Sequence, residues 1–167
     1  MKKILTILFA IVLLPLAVQA QYGGKGSLDI NAGIGLGSNL TGTGIPIGLS
    51  ADYGINEEVT IGGYAGYAST SEDIGIGEWE YTNIIFGARG TYHKEFVENL
   101  DTYGGVMLGY NVAEAEWKGQ GNLSASVGGF TYSGFAGLRY HFTDKIGVYG
   151  EVGYGIAYLQ TGLTVRM

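Results

Sequence analysis

Apolar side chains recur at every second position along most of this chain, and the positions between them carry a different chemistry. Across residues 146–154, Ile146, Val148, Val152 and Tyr154 occupy one phase, while Tyr149 and Glu151 share the other with glycines. A period of two is the mark of a β-strand with unlike faces. The same reading predicts eight strands, at residues 28–38, 45–54, 59–69, 81–93, 101–113, 127–142, 146–154 and 158–167. No window after the first twenty residues carries an amphipathic helix.

Charge decides which face meets what. The apolar phase of the eight windows contains no Asp, Glu, Lys or Arg, whereas Asp29, Asp52, Arg89, Arg139, Glu151 and Arg166 all fall in the opposite phase. Lys25, Lys94, Lys118 and Lys145 lie outside the strands or at their ends. A soluble barrel would have these faces reversed and would lace its water-facing phase with Lys and Glu. Here that phase holds glycines, tyrosines, small polar residues and a few charges of both signs. It suits a narrow interior in which three guanidiniums pair with carboxylates. The apolar phase then faces hydrocarbon, in keeping with a charged content of only 14%. An open sheet edge does not survive in lipid, so the expected fold is all-β, a closed eight-stranded antiparallel up-and-down transmembrane β-barrel with both termini on the periplasmic side. With no cysteines, it must hold together without disulfides.

The first twenty residues read as an export signal. Lys2 and Lys3 supply the positive end, Ile4 to Leu14 the apolar run, and Val18-Gln19-Ala20 a small-residue cleavage site, with cut after Ala20. The run is short for a membrane helix, and Pro15 interrupts its end. The barrel domain is then residues 21–167. Two of the nine basic residues leave with the leader, so seven stand against fifteen acids, a balance of −8 that offers nothing to nucleic acid.

Loop lengths orient the barrel. Connections 55–58, 94–100 and 143–145 are short and periplasmic, while 39–44, 70–80 and 114–126 form the longer outer rim, the last hairpin turning tightly near 155–157. Tyr53, Tyr92, Tyr140 and Phe142 form one aromatic belt, and Tyr67, Tyr110, Tyr132 and Tyr154 the other. The rim holds both tryptophans: Glu72, Asp73, Glu78 and Glu80 surround Trp79, and Glu114 and Glu116 precede Trp117 and Lys118. One reading is a partner-binding rim with aromatic anchors and with acids that hold cations bridging to lipopolysaccharide. The other is that the tryptophans mark the membrane interface and the acids are merely solvated.

Other apparent motifs carry less. Gly33-Ile34-Gly35-Leu36-Gly37 resembles a nucleotide-binding loop, but it lies within a strand and no helix follows, so strand curvature explains it better. Asn39-Leu40-Thr41 and Asn122-Leu123-Ser124 match glycosylation acceptors and read as loop residues. His93 and His141, far apart in sequence and without cysteine partners, read as interfacial or lumen-rim hydrogen-bonding residues near the periplasmic ends of strands. No catalytic triad, metal site or cofactor is indicated. An interior this narrow is filled by Tyr64, Tyr103, Phe135, Tyr149 and the arginines, although its glycines leave room for a trickle of ions.

The whole of 21–167 resembles the small eight-stranded outer-membrane β-barrels of Gram-negative bacteria, the OmpA/OmpX-like superfamily. The end carries the likeness best: Leu138-Arg139-Tyr140-His141-Phe142-Thr143-Asp144-Lys145, then Val148-Tyr149-Gly150-Glu151-Val152-Gly153-Tyr154-Gly155, then 158–167. The resemblance implies lipid and lipopolysaccharide surroundings and recognition by the barrel assembly machinery. In the family the closing strand usually ends on an aromatic residue, and Met167 departs from that. It implies a structural barrel, a surface adhesin, a narrow porin-like channel or, less in keeping with these residues, an outer-leaflet lipid hydrolase.

Overall fold

The computed structural model describes residues 24–38, 44–97, 100–119 and 121–167. The leader and the Asn39-Leu40-Thr41 tripeptide lie outside the described residues. Eight strands follow one another: β1 (Leu28–Leu36), β2 (Ile47–Gly54), β3 (Val59–Asp73), β4 (Gly77–Val97), β5 (Leu100–Gly119), β6 (Gly121–His141), β7 (Ile146–Gly153) and β8 (Leu159–Arg166). Each pairs antiparallel with the next, and β1 pairs with β8, so the sheet closes into a barrel. Leu28 and Met167 exchange both backbone hydrogen bonds, at 3.0 and 2.9 Å, which brings the two ends of the barrel chain side by side. Closure leaves no edge unpaired around the ring.

Directly paired residues trace a row around the wall. From Tyr140 it passes through Val148, Leu163, Ala32, Leu49, Ala65, Phe86 and Tyr110, and it re-enters β6 at Phe130. The row does not meet its own start, and this stagger requires strands tilted to the barrel axis.

Polarity is inside out relative to a globule in water. Leu108 is 70% exposed on the outer wall, whereas Arg139 and Asp52 are 0% exposed in the lumen. Inward glycines make space for lumen side chains. A Cβ on Gly33 would sit 2.6 Å from the Tyr149 hydroxyl, and one on Gly48 would sit 2.0 Å from Gln160 Nε2. Within the Gly33–Gly37 run, curvature is therefore not the main reason for glycine at position 33.

Several strand limits differ from the sequence expectation. Stretches 70–80 and 114–126 are mostly strand: β3 and β4 continue to a turn at 74–76, β5 runs to Gly119 and β6 starts at Gly121. Alternation persists there with its polarity inverted. Along β4, even positions are apolar from Ile84 to Tyr92, but Trp79 and Tyr81 are odd while Glu78 and Glu80 are even. The charge-free outward phase ends where that inversion begins. Stretch 94–100 is likewise largely strand, so Lys94 lies within β4. Turns 55–58 and 143–145 are tight as expected. Asn56 Oδ1 accepts from the Glu58 and Val59 amides, each at 2.8 Å, and Thr143 Oγ1 accepts from the Lys145 and Ile146 amides.

The long strands make the barrel lopsided. β7 pairs with β6 no further than Phe135, and β2 with β3 no further than Tyr67, so β3 to β6 rise beyond the ring as a four-stranded projection.

Candidate functional site

Two places concentrate chemistry: the lumen and the projecting sheet. Strand period puts every second residue into the lumen, and there neighbouring strands deliver opposite charges at matching heights. Asp29 and Arg166 are paired across β1 and β8, and Arg166 Nε donates to Asp29 Oδ1 at 2.8 Å. Arg139, from β6, reaches Asp52 Oδ2 at 2.6 Å, Asp29 at 3.3 Å and Asp101 at 3.5 Å. Arg89 stands 3.1 Å from Asp52 and donates to Glu151 Oε2 at 2.8 Å. The Asp52 contact is ionic rather than a well-aligned hydrogen bond, since neither Asp52 Oδ1 nor Arg89 Nε has hydrogen-bond geometry. All six charged residues that the sequence placed in the lumen thus belong to one connected network.

The network also includes residues that the sequence did not assign to it. His93, expected at the interface or the lumen rim, is 2% exposed. Its Nδ1 lies 3.0 Å from both Asp101 carboxylate oxygens, and its Nε2 lies 2.6 Å from Thr91 Oγ1 and 3.1 Å from Thr60 Oγ1. Because a carboxylate only accepts, Nδ1 is the donor and Nε2 is turned to the hydroxyls. Thr60 and Thr91 also contact one another. Asn31 Nδ2 donates to Ser50 at 2.9 Å and to Asp52 at 3.3 Å. The signal for Asp101 and His93 was their parity, since both fall in the phase of Arg89 and Tyr103.

The Asp101–His93–Thr91 order has the logic of a base-activated nucleophile. Its hydroxyls are nevertheless buried, with Thr91 3% and Thr60 4% exposed, and the Tyr103 ring lies 5.3 Å from the His93 ring. The set ties β3, β4 and β5 together. His141, also lumen-facing, is 6% exposed.

Aromatic rings close the space above the charges. Tyr103 lies 4.4 Å from the Arg139 guanidinium and donates to Glu151 at 3.2 Å, and Phe135 lies 4.1 Å from Arg89. Tyr64 donates to Gln160 at 3.2 Å, and Tyr149 is 4% exposed. Above them Ile156, folded in from the β7–β8 turn, packs with Ala68, Ile85 and Met107 in a small apolar cluster. The cavity lined by Tyr64, Arg89, Glu151, Ile156 and Gln160 measures about 30 Å³, space for about one water.

In the projecting sheet, Trp79 and Trp117 face one another as a cross-strand pair with ring centres 5.4 Å apart. They sit on strands rather than loops, on the face that continues the lumen wall and not on the outward face. Glu72 pairs with Trp79 on that same face. Asp73, Glu114 and Glu116 stand on the opposite face, where Lys118 Nζ lies 2.8 Å from Glu116 and 3.7 Å from Glu80. The Glu116 contact raises the Lys118 pKa above its ordinary value. Among the described residues, no group of His, Cys, Asp and Glu could hold a metal ion.

Residues 12–166 match the model of a family described as of unknown function (DUF6646). No curated protein matches. Solved structures share the fold. The attachment invasion locus protein Ail of Yersinia pestis, in complex with the heparin analogue sucrose octasulfate, is 15% identical with a TM-score of 0.60, over 86% of this chain and 99% of that one. The N-terminal β-barrel domain of Pseudomonas aeruginosa OprF is 17% identical with a TM-score of 0.58, over 86% and 97%. Neisserial surface protein A is 16% identical with a TM-score of 0.54, over 84% and 94%.

Proposed function

We propose that this chain, which belongs to the DUF6646 family, is an integral outer-membrane barrel with a closed lumen and a structural or cell-surface interaction role. In this reading the leader is cut after Ala20, both termini are periplasmic and the β3–β6 projection stands outside the cell. One observation carries it: the barrel wall is apolar outside and its guanidinium–carboxylate network lies inside, an arrangement that water would invert.

The wall also has a visible outer limit. Its outward phase is apolar through the row Tyr67, Ile84 and Val112, and turns polar at the next row, Ser69, Thr82, Glu114 and Ser126. Hydrocarbon ends between those rows. Solved barrels of the same fold that are named as outer-membrane or surface proteins support the location. The sulfated ligand in the Ail structure does not carry over, because acidic residues dominate the projection here.

Extraction and conductance test the reading together. The expected result is that the protein stays in the outer-membrane fraction through salt and alkaline washes, leaves it only with detergent, and gives no discrete current steps in a planar bilayer. Release without detergent would refute the location. Clear unitary steps would replace the closed lumen with a narrow channel.

A further inference from the structure

The β3–β6 projection has an apolar face with no lumen to fill. On the face that continues the lumen wall stand Trp79, Tyr81 and Trp117, then the small residues Ala113 and Ala115, then Leu123 and Val127 on β6. Leu123 and Val127 are 64% and 69% exposed. Exposed apolar area grouped in this way marks a surface used for binding.

The aromatic part is built rather than incidental. A Cβ on Gly77 or Gly119 would come within 2.4 or 2.5 Å of the Trp117 indole, so glycine at both positions lets that ring lie flat on the strands. Trp79 leans on it at 51°, and Tyr81 stacks on Trp79 with centres 6.4 Å apart. From the rings on β4 to Leu123 on β6 is two strand spacings, roughly 10 Å, wider than one small cation fills.

Charge selects the occupant. Of the six acids on the projection, Glu72 shares the aromatic face, while Asp73, Glu78, Glu80, Glu114 and Glu116 stand on the opposite face and add to the negative field of the whole projection. Lys118 is the only basic residue among its described residues, and it is held by Glu116 and Glu80. Indole faces attract guanidinium and ammonium groups, and the alkyl stems of Arg and Lys pack well on such rings. We propose that the Trp79–Trp117 face, with Glu72 beside it, docks a basic polypeptide segment whose Arg and Lys side chains lie on the rings while its apolar residues cover Leu123 and Val127. The biological setting rests on the surface-exposed reading above, but the binding itself does not.

Both tryptophans of the chain stand on this face, so their fluorescence reports on it directly. Detergent-solubilised full-length protein is titrated with nona-arginine and, separately, with nona-glutamate. The expected result is a saturable change in tryptophan emission with nona-arginine alone, weakened by added salt. Anisotropy of labelled nona-arginine then compares variants. Trp117→Ala and the isosteric Glu72→Gln should each weaken binding about three- to tenfold, and Glu114→Gln, on the opposite face, much less. Absence of saturable binding at low salt overturns the proposal. So does loss of affinity with Glu114→Gln while Glu72→Gln has no effect, which would mean attraction to the acidic back alone. Membrane location is read separately by extraction, so the two ideas fail independently.

Discussion

Arg139 and Asp52 meet at 2.6 Å in a place where neither side chain touches solvent. They arrive from β6 and β2, on opposite stretches of the ring, so their contact spans the lumen rather than running along the wall. Arg139 also reaches Asp29 and Asp101, so a single guanidinium joins carboxylates from β1, β2 and β5. Removing one partner of such a set leaves the others charged and uncompensated, which costs more than the pair itself contributes. Arg139→Ala is expected to lower stability by about 3–5 kcal/mol, measured as the urea midpoint of the refolded protein in detergent. An unchanged midpoint would show that water reaches these carboxylates.

Inward glycines supply the volume that the lumen tyrosines and glutamine occupy. A Cβ on Gly48 would overlap Gln160 and come within 2.8 Å of the Tyr64 hydroxyl, whereas one on the outward Gly134 would meet nothing within 4 Å. Gly48→Val is expected to cost about 1–3 kcal/mol through overpacking, and Gly134→Ala to be nearly neutral. Parallel denaturation of the two variants separates a demand for space from a general dislike of substitution in a strand.

Strand number and the inward facing of all three arginines were legible in the sequence through parity, and strand order through the need to close the sheet in lipid. Parity survives errors of a residue or two at strand ends. Residues 78–80 and 114–118 were not legible as strand, since there the acids moved into the phase that had been apolar. Ile85, Met107 and Ile156 were hidden for a related reason: they are apolar residues that do not face lipid, two in the polar phase and one in a turn. The Asp101–His93–Thr91 set required the register between β4 and β5, which alternation alone does not give.

Position along the outer wall should decide the cost of a charge. Leu108, 70% exposed, lies in the row Gly63, Ala88, Leu108 and Tyr132, well inside the apolar band. Ser126 lies in the polar row beside Glu114. Leu108→Arg is expected to lose about 2–4 kcal/mol on folding into lipid vesicles, and Ser126→Arg to fold as the parent does. Equal behaviour of the two would place the hydrocarbon boundary elsewhere.

The proposed closure of the lumen rests on stacked layers that differ in chemistry. Ile156 with Ile85 and Met107 forms the apolar top, Tyr103 and Phe135 the aromatic shelf, and the arginine network the floor. Ile156→Ala removes only the top, so stability should fall by about 2 kcal/mol while planar-bilayer recordings stay flat. Trimming Arg139 and Tyr103 together should behave differently, since their stacked side chains, 4.4 Å apart, fill the same cross-section and are bordered by inward glycines such as Gly137. That double variant is expected to show small discrete steps in the planar bilayer. Steps already present with Ile156→Ala would make the β7–β8 turn, and not the ion-pair layer, the seal.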